Sequence, residues 1–206
     1  MTIPPPSPPS IATPTEHTTA ARIGGALFRN RSWLPVPFLA IPLLVPAQQT
    51  RTGWLIGALL IVLGEAIRYF GVAAAGAVTR RRSRDVQRLV TYGIFAWVRN
   101  PLYIGNALIW IGFLVGSGVL WFLPVALVLF AVEYTLIVRY EEAVLASIFG
   151  EEYRAYMRRT SRWMPRLPAE RSSGPHEWGE AARSELSTIA QFVALALAFW
   201  GKARFF

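Results

Sequence analysis

The sequence contains no cysteine. Disulfides, thiolate metal sites and thiol nucleophiles are excluded together. Histidine is almost missing: His17 and His176 are the only two, both outside the apolar runs, and no histidine-rich metal site is expected. Lysine occurs once, as Lys202, so 20 of the 21 basic residues are arginine. Charge is scarce, at 16% of residues against about 25% in an ordinary soluble domain. The first 20 residues have neither the basic stretch nor the apolar core of a secretory leader.

Apolar residues are what the chain has in excess. They make up 53% of it, the mean hydropathy is +0.36, and they are bunched in long runs rather than spread along stripes. This is the pattern of a membrane protein. The net charge of +9 raises the question of nucleic acid. The arginines lie in short segments between apolar runs, however, where the positive-inside rule and anionic headgroups account for them. Membrane lipids, and no nucleic acid, are the expected partners.

Residues 1–21 are rich in proline and threonine and read as a disordered tail. Residues 33–47 carry four prolines and form a short, kinked first span. Trp54 to Val78 is a second span, long enough to cross a hydrocarbon core of about 30 Å. Six arginines follow between positions 80 and 99, against the single acid Asp85. Leu102 to Gly116 is a third span, Ser117 and Gly118 a tight turn, and Val119 to Val138 a fourth. The charge asymmetry places residues 79–101, and the chain after Arg139, in the cytoplasm. Arg139 to Glu185 is polar and helical, with a break at Gly150. The last apolar stretch, about 14 residues, falls short of the roughly 20 a full crossing needs and either spans or lies on the membrane. The expected fold is an all-α, multi-pass bundle of four to five spans. Residues 22–168 form its core and 169–206 a linker and a terminal apolar helix.

Several polar residues do not belong in lipid. Glu65 and Arg68, three apart on the second span, share a helix face and are either a structural ion pair or a substrate contact. Glu133 lies inside the fourth span and reads as a helix–helix hydrogen-bonding residue. The stretch RNPLYIGN, residues 99–106, stands where the third span begins. Asparagine and proline there suit a helix start and arginine suits a headgroup, which explains only part of the pattern. The densest chemistry follows the fourth span, in RYEEAVLASIFGEEYRAYMRRTSRWMP, where Tyr153 and Tyr156 share a face. Taken alone, such alternating charge is a solvated helix face.

Together, LVTYGIFAWVRNPLYIGN and EEAVLASIFGEEYRAYMRRTSRWMP resemble the isoprenylcysteine carboxyl methyltransferase and phospholipid methyltransferase superfamily. These are integral-membrane enzymes that use S-adenosylmethionine. The matching positions are Arg99, Asn100, Pro101, Tyr103 and Gly105, then Glu141, Glu142, Phe149, Gly150, Tyr153, Tyr156, Arg162 and Pro165, with Arg68 upstream. The resemblance covers about residues 60–168. Asn100 departs from it, because the carboxyl methyltransferases carry histidine there; some other members carry asparagine.

The resemblance implies a cofactor pocket at the cytoplasmic boundary, closed by the polar helical segment. Asn100, Pro101, Leu102, Tyr103, Gly105, Glu141, Glu142 and Tyr156 are the implied S-adenosylmethionine contacts. Glu142, Arg139 and Arg162 are the candidate catalytic residues. Glu142 or Glu141 would serve as base for an amine acceptor, and the arginines would bind a carboxylate. Arg68, Glu65 and Arg99 are candidate substrate contacts. The acceptor is expected to be lipophilic, a carboxylate or an amine, and no metal is needed. A sterol-reductase-like enzyme using NADPH, or a non-catalytic protein of the same fold, are the competing readings.

Overall fold

A computed structural model describes residues 19–31, 35–76, 88–168, 173–202 and 204. Among them there is no strand, and the chain is all-helical. The helices are α1 (Thr19–Asn30), α2 (Pro35–Leu44), α3 (Arg51–Ala75), α4 (Pro101–Ser117), α5 (Leu123–Arg159) and α6 (Trp178–Lys202). Three of these, α3, α5 and α6, are long and apolar enough to cross a membrane, and α4 is a shorter apolar helix of 17 residues. Their outward faces carry Leu59, Val62, Val128, Val132, Val193 and Leu197, all exposed, as a lipid-facing surface requires.

Three details depart from the sequence reading. The proline-rich first span contains a helix of only 10 residues, which reaches about 15 Å and covers half of a hydrocarbon core. The terminal apolar stretch is the latter part of a 25-residue helix, because the polar residues from Trp178 onward continue the same turns and bury Ala181 and Glu185. Helix α1 begins at Thr19, inside the segment read as a tail, and packs on α5, with Gly24 and Gly25 against Leu136 and Tyr140. Residues 1–18 and most of the arginine-rich segment, 77–87, lie outside the described residues.

The backbone of the bundle is the α3–α4 pair. Glycines recur every seventh residue on α3, at 57, 64 and 71, and on α4 at 105 and 112. The helices run antiparallel, so Gly57 meets Gly112 and Gly64 meets Gly105. A Cβ on any of these four would lie 2.4–2.6 Å from the facing carbonyl oxygen. Backbones approach this closely only where side chains are absent, and in lipid such contact is a main source of helix affinity. Helix α6 covers the pair, with Phe199 fully buried against Phe113 and Trp54. At its end Lys202 Nζ donates to the carbonyls of Pro42 (2.6 Å) and Val45, satisfying the C-terminal turn of α2.

Helix α5 is much longer than any bilayer crossing, at 37 residues. Its apolar run ends near Val138, and the remainder projects beyond. Gly150 breaks it with φ +54°, a conformation that favours glycine and matches the break expected there.

Candidate functional site

The polar residues of the two motifs meet at the end of the bundle where α3 and α5 leave the apolar zone. Arg99, just before α4, donates from Nε and Nη2 to Glu142 Oε1 at 3.1 and 2.9 Å. Its Nη1 also donates to the carbonyls of Met157 and Thr160, at 3.0 and 2.6 Å. Arg162 donates from Nε and Nη2 to the same carboxylate. Asn100 Nδ2 donates to Arg162 O at 3.2 Å, and Tyr156 OH to Phe95 O at 2.8 Å. Backbone bonds from Arg99 N to Ser161 O and from Arg166 N to Trp97 O complete the clasp. Residues 92–101 and 156–166 are thereby locked together.

Glu142 is the centre of that clasp. Its side chain is 8% exposed and that of Arg99 is 9%. Burial by itself would raise its carboxyl, but the hydrogen bonds from Arg162 and Arg99 outweigh this and hold it below the ordinary 4.5. A carboxylate gripped by two guanidinium groups is a poor proton acceptor. The geometry gives Glu142 a holding role, where the sequence reading had offered it as base.

Glu141 is differently placed. Tyr103 OH donates to its Oε2 at 2.9 Å, and Arg31 of α1 lies 3.5 Å away. Tyr103 of α4 and Glu141 of α5 therefore meet. Arg31 was not foreseen, since nothing in the sequence showed that α1 folds onto α5.

A second polar line runs into the bundle. Arg68 donates from Nη1 to Asn106 Oδ1 and pairs with Glu65 at 3.3 Å and Glu185 at 3.4 Å. Asn106 Nδ2 donates to Tyr134 OH at 3.3 Å, and the Tyr134 ring lies 4.6 Å from that of Tyr103. This bears on the Glu65–Arg68 question, for the two are joined to residues of three other helices. Asn106, Tyr134 and Glu185 were not among the sequence candidates. Asn106, polar and four residues inside an apolar run, was the available signal.

Other predicted residues lie in the contact between α3 and α4. Gly105 faces Gly64 and Arg68, Leu102 packs against Gly71 and Val72, and Pro101 is buried at the first turn. All three join α4 to α3. Arg139 is exposed and contributes nothing to the clasp.

Beside the clasp is a cavity of about 520 Å³. Its walls include Phe70, Trp97, Ile104, Pro165, His176 and Trp178. His176 stacks on Trp178 with ring centroids 4.9 Å apart, and Tyr92 OH donates to Pro175 O and Ala74 O, fastening this strap over α3. The volume and the aromatic lining suit one small molecule. The strap residues lie beyond the stretch that carries the motifs.

The fold and this end of the bundle thus define an all-helical protein, three of whose helices are long and apolar enough to cross a membrane, with an aromatic cavity beside a two-arginine clasp. Comparison with known proteins sharpens the class. Residues 52–152 match the phospholipid methyltransferase family model. The protein-S-isoprenylcysteine O-methyltransferases of Mus musculus and Homo sapiens are each 33% identical over 117 residues, covering 53% of this chain and 40% of theirs. A probable protein-S-isoprenylcysteine O-methyltransferase of Oryza sativa subsp. indica is 31% identical over 118 residues, covering 53% of this chain and 60% of its own. The chain therefore spans about two fifths of the length of the mammalian relatives it matches. No solved structure matches it significantly. Over about half of its length the chain is thus similar to the phospholipid methyltransferase family and to protein-S-isoprenylcysteine O-methyltransferases.

Proposed function

We propose that the chain transfers a methyl group from S-adenosylmethionine to a lipophilic or membrane-associated acceptor at the cytoplasmic face of the cell membrane. The observation that carries this reading is the aromatic cavity walled by Trp97 and Val98, beside the Arg99–Glu142–Arg162 clasp. The residues fit the cofactor. Trp97, Phe70, His176 and Trp178 offer faces for an adenine. Tyr103, Glu141 and the Arg99–Glu142–Arg162 clasp supply groups of both signs for a zwitterionic amino-acid end. When bound, S-adenosylmethionine supplies an electrophilic methyl on a sulfonium, so the protein's work is orientation and charge control.

The roles follow from the contacts. Glu142 fixes Arg99 and Arg162, and through them the turn that walls the cavity. Glu141, held by a phenol and a single arginine, is the freer carboxylate and takes a proton where the acceptor is an amine. A carboxylate acceptor needs no base and would be oriented by arginine, as the activity named for the isoprenylcysteine relatives implies. The cytoplasmic placement is supported by the six arginines between positions 80 and 99 of the sequence.

The test is calorimetry and methyl-labelled cofactor on purified protein with host membranes. S-adenosylmethionine should bind and label a lipid-soluble product. Ile104→Trp, which fills the cavity, should abolish binding while the protein stays folded. Stabilisation by NADPH and not by S-adenosylmethionine would overturn the reading, as would binding that survives Ile104→Trp.

A further inference from the structure

We propose that Glu185 is a positioning residue for methyl transfer, a role that rests on the function proposed above. It aims the Arg68 guanidinium at Asn106 and thereby orders Tyr134, Tyr103 and Glu141. Glu185 stands on α6, beyond the stretch that carries the motifs and the family match. Helix α6 docks on the end of α3. Glu177 N donates to Ala73 O at 2.8 Å, Tyr69 OH donates to Trp178 O at 3.3 Å, and Ala181 is fully buried against Val72 and Ala73. About one turn further along α6, the Glu185 side chain is 2% exposed and its Oε2 lies 3.4 Å from Arg68 Nη2.

Charge balance alone does not call for Glu185. Arg68 already has Glu65, three residues earlier on its own helix, with Oε2 3.3 Å from Nε. One carboxylate neutralises one guanidinium, and a second buried carboxylate costs desolvation without adding neutrality. What the second one adds is direction. Glu65 of α3 holds the guanidinium at Nε and Glu185 of α6 holds it at Nη2, so Nη1 is left facing Asn106 Oδ1 of α4. An arginine only donates, so the Asn106 oxygen turns to Arg68 and Nδ2 turns to Tyr134, whose hydroxyl oxygen accepts at 3.3 Å. The Tyr134 ring packs on that of Tyr103, and Tyr103 OH donates to Glu141 Oε2 at 2.9 Å. Without Glu185, Glu65 is the stronger pull on Arg68, and the Asn106 amide loses the donor that orients it.

Arg68, Asn106 and Tyr134 do not line the aromatic cavity, whose walls on α3 and α4 are Ile67, Phe70 and Ile104. Glu185 therefore bears on the cluster around Glu141 and not on the faces given to the adenine. That separation gives the role its signature: turnover falls while cofactor affinity stays.

Full-length protein carrying 3-fluorotyrosine is followed by fluorine NMR in detergent without cofactor. The Tyr134 and Tyr103 signals, among seven tyrosines, are assigned from Tyr134→Phe and Tyr103→Phe. Glu185→Gln should shift or broaden both signals, and Glu180→Gln, at an exposed position of the same helix, should leave them in place. With methyl-labelled S-adenosylmethionine and host membranes, Glu185→Gln should lower turnover at saturating cofactor roughly tenfold, the value of one charge-assisted hydrogen bond. Cofactor affinity by calorimetry should be unchanged. Asn106→Leu breaks the same line without removing a charge. It should reproduce both effects, and it serves in place of Glu185→Gln if that variant fails to fold. Fluorine signals that stay in place overturn the positioning role, as does turnover that survives either substitution in folded protein. Equal losses of turnover and cofactor affinity overturn it too, since they mark an ion pair that only supports the fold. Absence of label with the unaltered protein overturns the proposed function and the reaction role with it, while the fluorine signals still decide whether Glu185 aligns Asn106 and Tyr134.

Discussion

Gly105 offers the sharpest test of how the motif works, because two roles compete for it. The resemblance makes it a cofactor contact; the structure makes it half of a helix–helix contact. A Cβ at Gly105 would lie 2.6 Å from Gly64 O and 2.7 Å from Arg68 Cγ, and one at Gly64 would lie 2.5 Å from Gly105 O. Ordinary contact begins at 3.4 Å, so either alanine must push the helices apart by about 0.8–0.9 Å. Overpacking of this kind costs about 1–3 kcal/mol, of which improved helix propensity returns up to about 1. Gly64→Ala and Gly105→Ala should each lower the melting temperature by several degrees, at roughly 2–4 °C per kcal/mol for a chain of this size. The double variant should cost less than the sum, since one separation admits both methyls. Gly201→Ala, where a Cβ meets nothing within 4 Å, should be neutral or slightly stabilising. The assay is thermal unfolding in detergent, followed by circular dichroism. A Gly105→Ala protein that melts normally and loses only cofactor affinity, beside an unaffected Gly64→Ala protein, would refute the packing account.

Other expectations follow from the clasp and the caps. Glu142→Gln leaves the buried Arg99 guanidinium, and the one-third-exposed Arg162, short of a counter-charge and should destabilise by about 3 kcal/mol in thermal unfolding. Because the folded Glu142 carboxyl sits below 4.5, its contribution is present above that pH and lost as pH falls through the folded value. Acid titration of the unaltered protein should show that loss, and Glu142→Gln should flatten it. Lys202→Met should cost about 1–3 kcal/mol by stranding the carbonyls of Pro42 and Val45, read as a lower melting temperature. Tyr156→Phe, which frees Phe95 O, should loosen the cavity wall and show as faster amide exchange in residues 92–98.

Much of this architecture could be read before the structure. Long apolar runs fix the membrane class, and the tight turn at Ser117 and Gly118 obliges RNPLY and RYEE to share one depth. Glu65 and Arg68 pair because spacing on a helix leaves little choice. Gly150 breaks its helix because no other residue so readily adopts that φ. What was hidden depended on contacts between segments distant in sequence. Arg31 reaches Glu141 only because α1 folds back over α5, and His176 and Trp178 reach the cavity only because the strap returns to α3. The seven-residue glycine spacing was visible, but an isolated helix does not say which neighbour its glycines are meant for. Glu142 shows a different limit: a motif conveys that a carboxylate is needed without saying that Arg99 and Arg162 will both hold it.

The two flanks of α4 explain each other. A helix that approaches one neighbour to backbone contact cannot also pack closely on a second neighbour reached by a short turn. The glycine seam therefore fixes one face of α4 and opens the other. The seam holds Arg68 and Asn106 in register, so the polar line through the bundle is built on its least deformable part. The flank of α4 toward α5 is lined by apolar side chains, among them Trp110, Leu114 and Phe130, and not by close-packed backbones. On this geometry, substitutions at Gly64 or Gly105 should disturb the polar line through Arg68 and Asn106, whereas substitutions at Arg99, Glu142 or Arg162 should disturb the clasp beside the cavity.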